Sequence, residues 1–90
     1  MPALHLKYAT WIITVTGKWH EWVDTKSETI SDLISELDEK YPRFKDIFIP
    51  PEIGILNIRT MINLRRTGEP TRGVIDPNEK LRDGDTLLFW

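Results

Sequence analysis

Two histidines and scattered acidic and hydroxyl side chains are the residues of this sequence that could do chemistry. His5 and His20 lie in different predicted strands, and neither has an acidic or cysteine partner at the spacing of a metal site. No serine, histidine and aspartate arrangement is recognisable. The segment TGEPTRG, residues 67–73, has two glycines but lacks the strand before it and the helix after it that a phosphate-binding loop needs. We therefore expect both histidines to be ordinary surface residues. We also expect that the protein binds no metal and no cofactor and is not an enzyme.

The composition narrows the class of protein further. The absence of cysteine excludes disulfides, thiolate catalysis and thiolate metal sites. The 12 Lys and Arg against 14 Asp and Glu give a net charge of −2, which argues against nucleic acid and anionic membranes as partners. No apolar run approaches the roughly 18 residues of a membrane-spanning helix, so we expect a cytoplasmic protein. With 90 residues, the chain is expected to form a single domain, 1–90.

Tryptophan and arginine offer a different kind of chemistry, the recognition of another protein. The chain has four tryptophans, and alternation along a regular strand prevents Trp19 and Trp22 from pointing the same way. At least one indole is therefore expected on the sheet face away from the helix, either covered by Arg or Lys stems or free to anchor an interface. Basic charge also gathers around the third strand, either as solvated surface or as a contact for an acidic partner. The candidate protein-binding residues are Trp19, Trp22, Arg59, Arg65, Arg66, Phe89 and Trp90.

One helix stands out among the elements that must position these residues. In TISDLISELDEKYP the apolar residues recur with the 3.6-residue period of a helix. Thr29 is the predicted N-cap, its hydroxyl accepting from the backbone N–H of Asp32, and Pro42 is predicted to end the helix. The predicted buried stripe consists of Ile30, Leu33, Ile34, Leu37 and Tyr41.

Alternating segments predict the sheet on which this helix lies. LHLKYA places Leu4, Leu6 and Tyr8 on one side, and KWHEWVD alternates again after Gly17. The stretch YATWIITVTG between them is interpreted as strand, or strand plus turn. LNIRTMINL is predicted as the third strand, a brief edge strand is expected over 73–75, and the last strand is expected over 86–90. The segment RFKDIFIPPEIG is expected to be irregular, with one short helical turn.

This order of strands and helix predicts an α+β fold, a β-grasp (ubiquitin-like) domain with one main helix packed across a mixed four- to five-stranded sheet. The motifs strengthen it: Tyr8-Ala9, Thr16-Gly17, the Thr29-capped helix ending at Tyr41-Pro42, Asn63, and the turn Leu81-Arg82-Asp83-Gly84-Asp85. In this order they resemble the sulfur-carrier branch of the ubiquitin-like proteins, which includes MoaD of molybdopterin synthase and ThiS of thiamine biosynthesis. The resemblance covers nearly the whole chain.

The resemblance implies a function, and the C-terminal residues depart from it. Sulfur carriers of this branch end in a flexible Gly-Gly tail, whose terminal carboxylate is adenylated by an activating enzyme and converted to a thiocarboxylate. Here the ending is Leu88-Phe89-Trp90, which belongs to the predicted last strand, and a bulky indole stands where these carriers have glycine. We therefore expect a non-catalytic binding module or accessory subunit of a larger enzyme, docking through its sheet face and C-terminal strand. The alternative is a sulfur carrier or protein modifier that an activating enzyme acts on at its C-terminus.

Overall fold

Five strands and one long helix dominate the computed structural model, which describes residues 2–52, 56 and 60–90. The elements are, in chain order, β1 (Ala3–Tyr8), a 3₁₀ turn (Thr10–Ile12), α1 (Ile13–Thr16), β2 (His20–Asp24), α2 (Ile30–Lys40), α3 (Phe44–Phe48), β3 (Ile62–Arg65), β4 (Arg72–Gly73) and β5 (Thr86–Phe89).

Within these residues the strands form one mixed sheet in the order β2-β1-β5-β3-β4. The two strands that are farthest apart in sequence, β1 and β5, are neighbours in the sheet and run parallel, whereas the other pairs are antiparallel. The last strand therefore lies in the middle of the sheet. This is the predicted α+β, β-grasp arrangement, and the fold prediction is confirmed.

The helix α2 covers one face of the sheet, as its periodicity predicts. Its apolar stripe is buried, and the Thr29 hydroxyl accepts from the N–H of Asp32 at 3.2 Å, which confirms the predicted cap. From the sheet, Leu4, Leu6 and Tyr8 of β1 point into the same core, together with Leu87 and Phe89 of β5. The short helix α3, the single helical turn expected after Pro42, adds Phe44 and Phe48 beside Phe89.

A polar cluster joins the hairpin of β1 and β2 to the end of α2. The Glu21 carboxylate accepts hydrogen bonds from the Tyr8 hydroxyl at 2.6 Å, the Tyr41 hydroxyl at 2.7 Å and Lys40 Nζ at 2.5 Å. Burial alone would raise the pKa of Glu21, but the three hydrogen bonds outweigh this and lower it to about 2. The ionised carboxylate is therefore stabilised in the folded protein.

This cluster predicts an acid-sensitive stability. Because the pKa of Glu21 falls from an ordinary 4.5 to about 2 on folding, its contribution is fully present above pH 4.5 and is lost as the pH falls toward 2. Urea unfolding at several pH values should show a Glu21→Gln variant with a flatter decline than the wild type over this range. Glu39→Gln, on the exposed side of α2, is the control and should follow the wild type. Equal slopes for wild type and Glu21→Gln would contradict this role.

The connection between the first two strands differs from the prediction. We interpreted YATWIITVTG as strand or strand plus turn, but the chain turns helical after Ala9, through the 3₁₀ turn and α1. Ile12 and Thr16, four residues apart, are both buried, so a helical turn is what brings them to the same side. Gly17 ends α1 with a left-handed backbone, φ 76°, which is most accessible to glycine.

Two further strand boundaries are shifted. Of the predicted third strand, 56–64, residues 57–59 lie outside the described residues, and β3 covers only its last part with Arg65 added. The edge strand expected over 73–75 is the two-residue β4, because Val74 turns into the core and Ile75 is 91% exposed. None of the described helices is long and apolar enough to cross a membrane.

Candidate functional site

The face of the sheet opposite α2, here called the outer face, carries two cross-strand rows of side chains. The register places Trp22, His5, Thr86 and Arg65 side by side in the first row. The second row consists of His20, Lys7, Leu88, Asn63 and Gly73. These residues alternate along each strand with the buried ones that face α2, so they point away from that helix.

Aromatic rings form a continuous cluster at the β2 edge of the outer face. Trp22 stacks on His5, with ring centroids 3.9 Å apart and planes 7° from parallel. His5 Nε2 and His20 Nδ1 share a hydrogen bond of 2.9 Å, and the Trp19 ring lies 4.0 Å from that of His20. Trp22 is nevertheless 70% exposed and Trp19 63% exposed. The cluster is thus a pre-ordered apolar surface that water still covers.

The histidine pair differs from the expectation of two unconnected surface histidines. The antiparallel register sets His20 opposite Lys7 and His5 opposite Trp22, so the two imidazoles are diagonal neighbours. Their ring centroids are 5.1 Å apart for an N···N distance of 2.9 Å, so the two nitrogens point nearly straight at each other, and the protonated one donates to the other. Burial, then the neighbouring His20 and Lys7, lower the pKa of His5. In the described part of the chain no group of three potential metal ligands converges.

Of the other candidate binding residues, Arg65 and Trp90 are exposed. Arg65 occupies the end of the first row. Trp90 follows β5, and its backbone N–H donates to the Met61 carbonyl at 2.9 Å. The residue is 46% exposed. Arg59 lies outside the described residues.

Two of the candidate protein-binding residues, Phe89 and Arg66, are engaged within the fold. Phe89 is fully buried among Tyr8, Phe44 and Phe48, so it is a core residue and not part of the outer face. Because it alternates with Leu88, this placement follows from the period of the strand.

Arg66 is also engaged within the fold. Its Nε and Nη2 donate to the two carboxylate oxygens of Asp85, each at 2.9 Å, and Nη2 also donates to the Lys80 carbonyl. The Arg66 side chain is only 11% exposed and that of Asp85 is 1% exposed. Arg66 therefore fastens the turn before β5 and offers little surface to a partner.

Comparison with known proteins gives matches at the level of structure. Neither the protein-family models nor the curated proteins give a match to this sequence. Several solved structures are similar over almost the whole chain, among them the following three. SAMP1 from Haloferax volcanii is 22% identical, with a TM-score of 0.69, over 98% of this chain and 92% of that chain. The putative molybdopterin converting factor, subunit 1, from Pyrococcus furiosus is 18% identical, with a TM-score of 0.64, over 99% and 95%.

The third is a chain of the BexX/CysO complex from Amycolatopsis orientalis, 23% identical with a TM-score of 0.71 over 98% of this chain and 93% of that chain. At these identities the likeness establishes the fold. All three share the β-grasp fold, which confirms the resemblance drawn from the motifs at the level of the fold.

Proposed function

From the ubiquitin-like β-grasp fold that this chain shares with these carrier and modifier proteins, we propose that it acts by binding a partner protein through the outer face of its sheet. The observation that carries the proposal is Trp22, 70% exposed yet held in place by stacking on His5. Exposed tryptophans held in one orientation are typical anchors of protein interfaces, because they bury a large area at a small cost in entropy.

The charges of the outer face specify an acidic partner. The cations Lys7 and Arg65 stand in its two rows, and neither row contains an acidic residue. An acidic protein surface would meet complementary charge here, although the chain as a whole is slightly acidic.

Truncation of the central anchor tests this proposal. Trp22→Ala should weaken binding of the partner retained by the protein in affinity purification from its own host by at least about tenfold, as expected of a hot-spot residue. Glu39→Lys, on the solvent side of α2, changes the charge on the opposite side of the molecule and should leave the affinity unchanged. The affinities are measured by calorimetry with the purified partner. Unchanged binding by Trp22→Ala would contradict docking on this face.

The comparisons favour one form of this function, a sulfur carrier or protein modifier. SAMP1 is by its description a small archaeal modifier protein, another neighbour is a putative molybdopterin converting factor subunit, and the third was solved in complex with BexX. In this form the partner is an activating enzyme. The terminal carboxylate attacks the α-phosphorus of ATP and releases pyrophosphate, and sulfide then displaces AMP to leave a thiocarboxylate.

The other form, a non-catalytic accessory subunit, is favoured by the side chain that follows β5. Trp90 is 46% exposed and can therefore contact a partner. Intact-mass measurement after incubation with a cognate activating enzyme, ATP and sulfide separates the two forms. A mass gain equal to the exchange of one oxygen for one sulfur supports the carrier, whereas an unchanged mass together with a stable stoichiometric complex supports the accessory subunit.

A further inference from the structure

A depression of about 200 Å³ lies in the outer face, between the aromatic cluster and the β4 edge. Three neighbouring strands and the loop before β4 build it. It is lined by Lys7, Asn63, Arg65, Thr71, Thr86 and Leu88. Its size suits a single side chain and is below the roughly 300 to 1,000 Å³ of sites that hold a cofactor or a drug-sized ligand.

Hydrogen-bond donors predominate in the lining of the depression. Five of its six residues can donate a hydrogen bond, and two of these are cations. Thr86 stands next to Arg65 in one row of the sheet, and Leu88 lies between Lys7 and Asn63 in the other. Leu88 is the one apolar side chain of the lining, and no carboxylate is among the lining residues. The depression thus offers donors and positive charge around a small apolar contact.

The two cations of the depression differ from five other basic residues, which form salt bridges within the fold. Arg66 pairs with Asp85, Arg72 with Glu79, Arg82 with Glu69, and both Lys18 and Lys40 with Glu21. In the part of the chain that the structure describes, neither Lys7 nor Arg65 has a carboxylate within salt-bridge distance. Lys7 and Arg65 are thus the two Lys or Arg side chains in the rows of the outer face, and no described carboxylate neutralises them.

We propose that this depression binds the side-chain carboxylate of a glutamate or aspartate of the partner protein. The inference rests on the proposed function and names the chemical group recognised at that face. The planar guanidinium of Arg65 can hold a carboxylate with two parallel hydrogen bonds, and Lys7 adds a point charge from the neighbouring row. The methylene groups of the acidic side chain would contact Leu88, and Trp22 would cover the adjoining apolar surface of the partner.

A pair of blocked pentapeptides, identical except for a central glutamate or glutamine, tests the subsite by titration followed in amide NMR spectra. The glutamate peptide should bind the wild type at least about threefold more tightly, with shifts at residues 63, 65, 86 and 88, and the preference should shrink as salt is raised. The double variant K7Q/R65Q should lose the preference. Arg82→Gln removes a cation outside the depression and should keep it.

Equal binding of the two peptides by the wild type, or a preference that survives in K7Q/R65Q, would overturn the subsite. Inorganic phosphate serves as the competing anion. If it displaces the glutamate peptide at equimolar concentration, the depression is a general anion site and the proposal fails.

These outcomes are separate from those of the docking test. If Trp22→Ala loses affinity for the partner but the wild type shows no preference for the glutamate peptide, only the subsite is rejected. Glutamate preference with unchanged partner affinity in Trp22→Ala supports the subsite and rejects docking on this face.

Discussion

Asp85→Ala is expected to lower the free energy of unfolding by about 3 to 5 kcal/mol, because it leaves the Arg66 guanidinium, whose side chain is only 11% exposed, without its counter-charge. The carboxylate of Asp85 accepts both hydrogen bonds from Arg66 and also the backbone N–H of Arg82 at 2.9 Å. Removing it therefore frees three donors at once in the turn that leads into β5. Since β5 is the central strand, the loss should appear as destabilisation of the whole domain in urea unfolding.

Two variants distinguish the buried pair from surface charge. Arg82→Ala removes an exposed guanidinium 3.8 Å from Glu69 and should cost less than about 0.5 kcal/mol. Adding Arg66→Met to Asp85→Ala removes the unpaired charge and should recover part of the lost stability. A loss below about 1 kcal/mol for Asp85→Ala alone would mean that Arg66 reaches solvent easily and that the pair does not fasten the turn.

Leu33→Ala is expected to cost about 2 to 5 kcal/mol, since it opens a cavity where α2 packs on the sheet. Leu33 is fully buried, in the same core as Leu6 and Leu87 of the two central strands. The range reflects how far the surrounding side chains can close the space. Urea unfolding followed by circular dichroism measures the change.

Glu39→Ala is the matched control, because it lies on the same helix but on the exposed side. Its effect should stay within about 0.5 kcal/mol, in line with other surface substitutions. If Leu33→Ala also stayed within that limit, α2 would not cover the sheet as the structure has it.

The sequence predicts well those features that depend on local pattern. The period of 3.6 in α2 and the period of two in β1 report directly which side chains are buried, and the Thr29 cap needs only the residue three positions away. The ordered set of motifs then suffices for the β-grasp arrangement.

The segment that follows Ala9 shows where local pattern fails. Ile12, Ile13, Thr14, Val15 and Thr16 are β-branched, and this composition favours a strand. The core decides otherwise, because only a helical turn buries Ile12 and Thr16 together. Intrinsic propensity is weaker than the burial of side chains in tertiary structure.

The functional site depends on strand register, which a single sequence does not give. Alternation along the strand predicts only that one of Trp19 and Trp22 points away from the helix. The stacking of Trp22 on His5 and the hydrogen bond between His5 and His20 depend on how β1 pairs with β2. Likewise, the pairing of Arg66 with Asp85 joins residues 19 positions apart through the neighbouring strands β3 and β5. The buried position of Phe89, in contrast, could have been predicted from its alternation with Leu88.

The central claim, docking through the outer face, is tested most directly by the indole N–H signals of the four tryptophans in an NMR titration with the purified partner. We expect the Trp22 signal to shift or broaden first, with the amides of Lys7, Arg65 and Leu88, while the amide of Glu39 on α2 stays in place. An unchanged Trp22 signal, with the shifts gathered on α2, would contradict it.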